Sequence, residues 1–178
     1  GRPRRGALRD GALPVGVAHD LATRVGRGLA AALEAGVVHR DLKPENIFIT
    51  RGHEVKIMDF GSARFRAGGT PGTQEGVFIG TVLYGAPEQF GVGGAGPTAA
   101  TDLYALGLVL YECVTGHHPC EARALEQVIA WHINGEPARP SAANPLVTPF
   151  FEEVLLTLLQ KRPDARFGSA ARVLEALE

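Results

Sequence analysis

The sequence HRDLKPEN, residues 39–46, places an acid, a base and an amide within a few positions of one another. It lies between a helical pattern and a short strand-like run, so its polar side chains are expected in a loop. Thirteen residues after Asn46, the sequence Asp59-Phe60-Gly61 follows a second strand-like run. A carboxylate and an amide at neighbouring strand ends can hold a hard divalent cation through oxygen. The two stretches therefore predict a site for a hard divalent cation.

Two further side chains in residues 39–46 complete a set of chemical groups. A carboxylate that does not bind the metal, such as Asp41, can receive a hydroxyl proton, and a nearby ammonium, such as Lys43, can neutralise a phosphate. Phosphoryl transfer depends mostly on positioning and on stabilisation of charge. These groups are therefore the ones that phosphoryl transfer needs.

The residues before this loop predict a helix. Apolar side chains recur every fourth residue, which is the spacing of one helix face; they are Val17, Leu21, Val25, Leu29 and Leu33. Pro14 suits the first turn and Gly36 suits the end, because proline lacks an N–H and glycine tolerates the conformation that follows a helix.

The residues after the loop predict a small hairpin and then several helices. Residues 47–49 and 55–58 resemble two short strands joined by a turn at 51–53. Residues 61–80 contain six glycines and predict a long loop. Residues 102–115 are apolar almost all round, which is typical of a helix at the centre of a domain. Amphipathic helices are predicted at 122–134, 149–160 and 169–177.

Composition limits the class of protein. The 178 residues are 45% hydrophobic and 21% charged, as in an ordinary globular domain. The 18 basic and 19 acidic residues give a net charge of −1, which offers no electrostatic case for binding nucleic acid or a membrane. No run of about 18 apolar residues is present. Two cysteines, Cys113 and Cys120, form neither a disulfide framework nor a CxxC zinc site. One mainly α domain (α+β in the wider sense) with a small β-hairpin is expected.

Three motifs together resemble the protein-kinase signature set: HRDLKPEN at 39–46, DFG at 59–61 and Ala86-Pro87-Glu88. The resemblance covers nearly the whole chain and is to the large, C-terminal lobe. The composition, rich in Ala, Gly and Arg, and the sequence APEQ are similar to bacterial serine/threonine kinases of the eukaryotic-like type. The resemblance implies a catalytic loop at 39–46, an activation segment at 59–88 and a helical subdomain at 98–178 of a partial kinase domain, 1–178.

The resemblance also implies roles for the residues of the nucleotide site, with ATP and Mg²⁺ as the cofactors. Asp41 would be the catalytic base, Lys43 would lie by the γ-phosphate, and Asn46 and Asp59 would hold Mg²⁺. Phe48 and Met58 would line the adenine pocket, although plain core packing explains these two residues as well.

Protein substrates are the partners that the resemblance implies. Thr81, in a docking segment that also contains Ala86-Pro87-Glu88, would bind Asp41 and Lys43 and favour serine or threonine acceptors. Three further roles would be structural: Asp102 would accept backbone N–H groups from the region of His39 and Arg40, Glu88 would pair with Arg166, and Phe60 belongs to the DFG motif. Asp102 is explained equally well as a carboxylate at a helix N-terminus.

Other patterns carry less weight. The sequence at 91–96 matches GxGxxG, but no strand precedes it, so a flexible insertion is the better interpretation. His117 and His118 beside Cys120 have poor spacing for a metal.

The small lobe of a kinase supplies a glycine-rich loop and a lysine that binds the α- and β-phosphates, and both precede HRD in the chain. Only 38 residues precede His39 here, and none is a lysine; Lys56, in the strand before Asp59, cannot substitute. We therefore expect the small lobe to be absent from this chain and to lie upstream, with this chain alone inactive. The alternative is a truncated, non-catalytic binding module. A small-molecule kinase fits less well, because such enzymes usually lack the HRDLKPEN and APE patterns.

Regulation is expected to involve Arg40. An arginine beside the catalytic base attracts an anion, which phosphate on Thr70 or Thr73 would supply. Glu75 is the alternative source of negative charge. We expect a cytoplasmic protein, or the cytoplasmic domain of a membrane-anchored kinase.

Overall fold

The computed structural model describes residues 12–50, 52, 54–60, 80, 82–91 and 96–178. Six helices and two strands are formed by these residues: α1 (Val15–Glu34), β1 (Ile47–Ile49), β2 (Val55–Ile57), α2 (Ala99–Thr115), α3 (Leu125–Asn134), α4 (Pro140–Ala143), α5 (Pro149–Leu158) and α6 (Ala170–Leu177). Short 3₁₀ turns cover Pro44–Asn46, Pro87–Phe90 and Pro163–Ala165. The predicted mainly α fold with a small hairpin is confirmed.

Helix α2 is the centre of the fold. The Thr98 hydroxyl accepts the Ala100 N–H at its start, and Gly116 ends it with a φ of 79°, a conformation that favours glycine. Leu106, Leu108, Val109 and Leu110 have no exposed surface, so the helix is buried on every side as predicted. Helices α1 and α5 pack against it, and α6 packs against both.

Helix α1 confirms the predicted helix and corrects its buried face. Val17 is 48% exposed and Leu33 is 37% exposed, whereas Ala18 and Ala22 are completely buried. A helix turns 100° per residue, so a strict spacing of four drifts around its surface by about 40° per step. The two ends of the predicted stripe therefore rotate away from the core.

The two strands form the predicted antiparallel hairpin. Ile47 lies opposite Ile57, Phe48 opposite Lys56 and Ile49 opposite Val55. Ile47, Val55 and Ile57 pack against the main core, which fixes the hairpin on the helical body. The residues that precede β1 and follow β2 are thereby brought together.

Three predicted boundaries were wrong by a few residues. Helix α2 begins at Ala99 rather than at 102. Helix α3 begins at Leu125 rather than at 122; Ala124 directly before it is extended, and its side chain does not cap the helix. Helix α5 ends at Leu158 rather than at 160. The short helix α4 was not predicted. No helix among the described residues is long and apolar enough to cross a bilayer.

Candidate active site

The buried carboxylate of Asp102 holds the backbone of the loop at 39–46. Its Oδ2 accepts the His39 N–H at 2.7 Å and its Oδ1 accepts the Arg40 N–H at 2.7 Å. Burial raises the pKa of Asp102, and the two N–H donors oppose that rise by stabilising the charged form. Asp102 lies in the first turn of α2, where the helix dipole also favours a carboxylate.

The His39 imidazole ties the loop to the end of β2. Its Nδ1 accepts the Asp41 N–H at 3.2 Å, and its Nε2 lies 2.8 Å from the Met58 carbonyl oxygen. Because Nδ1 accepts and a carbonyl cannot donate, the proton is on Nε2 and the ring is neutral. The Phe60 ring lies 4.6 Å from the His39 ring, centroid to centroid. The completely buried His39 is therefore a structural link rather than a reactive group.

Asp41, Lys43 and Asn46 converge within this loop. The Lys43 ammonium donates to Asp41 Oδ2 at 3.0 Å, and the Asn46 amide nitrogen donates to the Asp41 carbonyl at 2.8 Å. The side chains of Asp41 and Lys43 are 10% and 18% exposed, so their charges interact in a partly dehydrated space. Asp41 is thus held through its backbone, and its carboxylate is paired with Lys43.

Asn46 and Asp59 lie at the same end of the hairpin. The Met58 N–H donates to the Asn46 carbonyl at 2.9 Å, directly beyond the pairing of Ile47 with Ile57. Asp59 is exposed and has a φ of 60°, which is uncommon for a residue with a side chain. Since the amide nitrogen of Asn46 is engaged by Asp41, its oxygen is the atom that can ligate a cation.

The oxygen groups of Asn46 and Asp59 fit Mg²⁺. This ion commonly uses one or two protein oxygen ligands and completes its shell with phosphate and water. Within the described part of the chain, no cluster of three or more His, Cys, Asp or Glu residues could hold a metal on its own. Phe48 is half-buried and Met58 is 48% exposed, so Met58 has surface to offer a ligand on the outer side of the hairpin.

Glu88 and Arg166 form a buried ion pair behind the site. Two guanidinium nitrogens of Arg166 donate to the two carboxylate oxygens of Glu88, each at 2.9 Å. The Thr101 hydroxyl also donates to Glu88, at 2.8 Å. Burial alone would raise the pKa of Glu88, but the hydrogen bonds from Arg166 lower it below its usual value. The carboxylate is therefore ionised and fully paired.

Comparison with known proteins identifies the family. The protein kinase domain model matches residues 5–176. This chain belongs to the protein kinase family. This match, together with the bacterial serine/threonine kinases described next, confirms the predicted resemblance.

Several curated kinases are similar to it. Serine/threonine-protein kinase Pkn1 of Myxococcus xanthus is 38% identical over 93% of this chain and 24% of its own length. PknB of Mycolicibacterium smegmatis is 42% identical over 78% of the chain, and PknD of Mycobacterium tuberculosis is 43% identical over 84%; the matches cover 22% and 23% of these proteins. The chain therefore spans about a quarter of the length of these relatives.

The kinase chain contains site contacts that sequence reasoning missed. Gln89, directly after the docking segment (residues 80–88), donates to the Arg40 carbonyl at 2.9 Å. Tyr84, within that segment, donates its hydroxyl to Glu112 on α2. Burial and the neighbouring Glu112 raise the pKa of Tyr84 well above its usual value. Gln89 is the last residue of the sequence APEQ, but the neighbouring residues do not indicate which loop its side chain contacts.

A buried cluster packs against the docking segment, and no sequence pattern predicted this cluster. His132 has no exposed surface, and its Nδ1 lies 3.2 Å from the Tyr104 hydroxyl, which also accepts the Lys161 ammonium at 3.1 Å. Lys161 lies 4.3 Å above the Trp131 ring, and burial lowers its pKa to about 8. Burial lowers the pKa of His118 to about 4 and that of His132 to about 3.

Four predicted regulatory or docking residues lie outside the described residues: Thr70, Thr73, Glu75 and Thr81. Arg40 is described and exposed, and it directly precedes Asp41 in the chain.

Proposed function

We propose that this chain transfers the γ-phosphate of ATP to serine and threonine side chains of proteins, as the large lobe of a longer kinase. The observation that carries the proposal is the placement of Asp41. Its backbone is held by His39 and Asn46, and its carboxylate contacts Lys43 at 3.0 Å. The family supports the same reaction, as do the relatives described above, which are named serine/threonine-protein kinases.

Asp41 acts as the base in the proposed reaction. The oxygen of the substrate hydroxyl forms a bond to the γ-phosphorus, the bond from that phosphorus to the bridging oxygen breaks, and the hydroxyl proton passes to Asp41. ADP is the leaving group. Lys43, already beside Asp41, neutralises the negative charge on the transferred phosphoryl group. The backbone contacts of Asp41 already restrict its motion. Its carboxylate therefore loses less conformational freedom when the substrate binds.

Asn46 and Asp59 would hold Mg²⁺ through their side-chain oxygens, and Phe48 and Met58 would contact the adenine. The metal supplies positive charge against the phosphates. The Asn46 amide has a second task in the chain itself, since its nitrogen holds the Asp41 carbonyl. Thr81 would contact Asp41 and Lys43 and favour serine or threonine as the acceptor.

The small lobe is proposed to come from sequence upstream of this chain, because the 38 residues before His39 contain no lysine. A kinase needs such a lysine to bind the α- and β-phosphates. The 178-residue chain by itself is therefore expected to bind ATP weakly and to transfer no phosphate. We place the kinase domain in the cytoplasm, where ATP and most protein substrates are available.

The test is a phosphorylation assay on the complete protein that carries this chain. Radiolabelled ATP, Mg²⁺ and a generic basic protein are supplied, and phosphoserine and phosphothreonine are measured. Asp41→Asn should lower the turnover rate by roughly 10²–10⁴, the usual value of a general base. The matched control is Asp164→Asn, since Asp164 is exposed on the far 3₁₀ turn, Pro163–Ala165.

Two results would overturn the proposal. One is a folded complete protein with no transfer above background, which would favour the non-catalytic binding module. The other is an Asp41→Asn variant with the parent rate, which would remove Asp41 from the reaction. Robust transfer by the 178-residue chain alone would contradict only the need for an upstream lobe.

A further inference from the structure

The Gln89 side chain joins two segments that are far apart in the sequence. Its amide nitrogen donates to the Arg40 carbonyl at 2.9 Å, across 49 residues, and its amide oxygen accepts the Ala86 N–H at 2.9 Å. A carbonyl can only accept and an N–H can only donate, so the amide has one possible orientation here. Gln89 is the residue of the 3₁₀ turn Pro87–Phe90 that reaches the catalytic loop.

The carbonyl that Gln89 binds belongs to the peptide group between Arg40 and Asp41. The N–H of the same peptide group donates to His39 Nδ1 at 3.2 Å. The carbonyl and the N–H of this peptide group are therefore both hydrogen-bonded. These two bonds fix the orientation of the peptide plane, and with it the direction of the Asp41 side chain. Arg40 has a φ of 69°, a conformation that costs free energy for a residue with a side chain and needs support from its surroundings.

The backbone of Gln89 is itself firmly anchored. The preceding residue, Glu88, is 6% exposed and is held by Arg166 and Thr101. A side chain that extends from such an anchor has little freedom to lose when it binds a carbonyl. The hydrogen bond from Gln89 to the Arg40 carbonyl is therefore rigidly positioned, and it depends on the position of the docking segment.

We propose that Gln89 is a positioning residue for the catalytic base: it couples the docking segment to the Arg40–Asp41 peptide group. The inference rests on the proposed function, since it assigns the base to Asp41. An ordered docking segment then holds Asp41 in its reactive orientation, and a displaced segment releases the peptide. Gln89 does not contact the reacting atoms, so its effect passes entirely through the backbone.

Two substitutions separate the two hydrogen bonds of Gln89. Gln89→Met keeps the length of the side chain and removes both bonds. Gln89→Glu keeps an acceptor for the Ala86 N–H but places a carboxylate oxygen against the Arg40 carbonyl. In the complete protein, both variants should lower kcat by roughly tenfold, the worth of one hydrogen bond of about 1.4 kcal/mol. The KM for ATP should stay within about twofold of the parent value.

The second readout needs no activity. Hydrogen–deuterium exchange on the 178-residue chain should show roughly tenfold faster exchange of the amides at 39–42 in both variants. Gln160→Met and Gln160→Glu are matched controls, because the Gln160 amide also donates to a backbone carbonyl, that of Leu156, on an exposed surface. The control variants should retain the parent kcat and the parent exchange rates.

The outcomes are distinguishable. Parent-like kcat and exchange in Gln89→Met would overturn the inference, as would a loss in Gln89→Met that Gln89→Glu does not share, since the Ala86 contact would then be responsible. A fall in thermal stability with unchanged exchange at 39–42 and unchanged kcat would assign Gln89 a merely structural role. If the complete protein proves inactive, the proposed function fails, and the exchange measurement still decides whether Gln89 holds the peptide.

Discussion

Arg166 binds both carboxylate oxygens of Glu88 through two separate nitrogens, each at 2.9 Å, across 78 residues of chain. The side chains are 0% and 3% exposed, so the pair is shielded from water and salt. Arg166 also donates to the carbonyls of Gln160, Lys161 and Ala100. One guanidinium therefore fastens the docking segment to the start of α2 and to the turn before α6.

Removal of one member of this pair should be costly. Glu88→Ala leaves a buried guanidinium without its counter-ion, and we expect the free energy of unfolding to fall by about 3–5 kcal/mol. Urea denaturation of the 178-residue chain measures it. The matched control is Asp164→Ala, which breaks the exposed ion pair with Arg162 and should leave the midpoint unchanged within error. The double variant Glu88→Leu, Arg166→Met should be more stable than Glu88→Ala; equal stability of Glu88→Ala and the parent would contradict the prediction.

The buried histidines should make the protein sensitive to acid. Burial lowers the pKa of His118 to about 4 and that of His132 to about 3, whereas both are near 6.5 in the unfolded chain. As the pH falls below 6.5, the unfolded chain takes up these protons first, so folding stability declines down to the folded-state pKa values. At pH 5 each histidine should cost about 2 kcal/mol relative to pH 7.5.

Substitution of one histidine tests this pH dependence. His132→Phe retains a ring of similar size and removes the titrating group, so its stability should change less between pH 7.5 and pH 5 than that of the parent. Leu146→Ala, which shortens a 78% exposed side chain and removes no titrating group, is the control and should keep the parent slope. An identical slope in His132→Phe and the parent, measured by urea denaturation at each pH, would exclude His132 as a source of the acid sensitivity.

Asp59 and Asn46 should respond differently to substitution. Asp59 is exposed, so Asp59→Ala should abolish Mg²⁺-dependent phosphate transfer by the complete protein while the melting temperature stays within a few degrees. Asn46 is 5% exposed and holds the Asp41 carbonyl, so Asn46→Ala should reduce both activity and stability. Parent-like activity of Asp59→Ala over a Mg²⁺ titration would remove this residue from the metal site.

Phosphorylation of the activation segment, residues 59–88, is expected on Thr70 or Thr73, with the phosphate paired to Arg40. An exposed arginine next to the proposed base can offer two parallel donors to a phosphate. Mass spectrometry of the active complete protein should find the modification, and the Thr70→Ala, Thr73→Ala double variant should lose activity. An active, unmodified enzyme that Glu75→Ala inactivates would show that a carboxylate supplies the anion instead.

Local patterns in the sequence were sufficient for most of the secondary structure. The apolar residues of α2 predicted a helix buried on all sides, and the two short runs around 51–53 predicted the hairpin, because these signals depend on neighbours only a few residues apart. The same reasoning failed at Val17 and Leu33, where spacing alone does not show where the partner helices end. The beginning of α3 was also missed, since no capping side chain marks it.

By itself, the sequence determined most of the elements and the family, because helix periodicity, turn residues and the HRDLKPEN, DFG and APE motifs are all local. Only the tertiary structure decided the distant contacts: Gln89 with the Arg40 carbonyl, Tyr84 with Glu112, and His132 with the Tyr104 hydroxyl. Each of these joins segments at least 28 residues apart. A polar side chain has many possible partners along a chain, and the packing of α1, α5 and α6 around α2 determines which of them it meets.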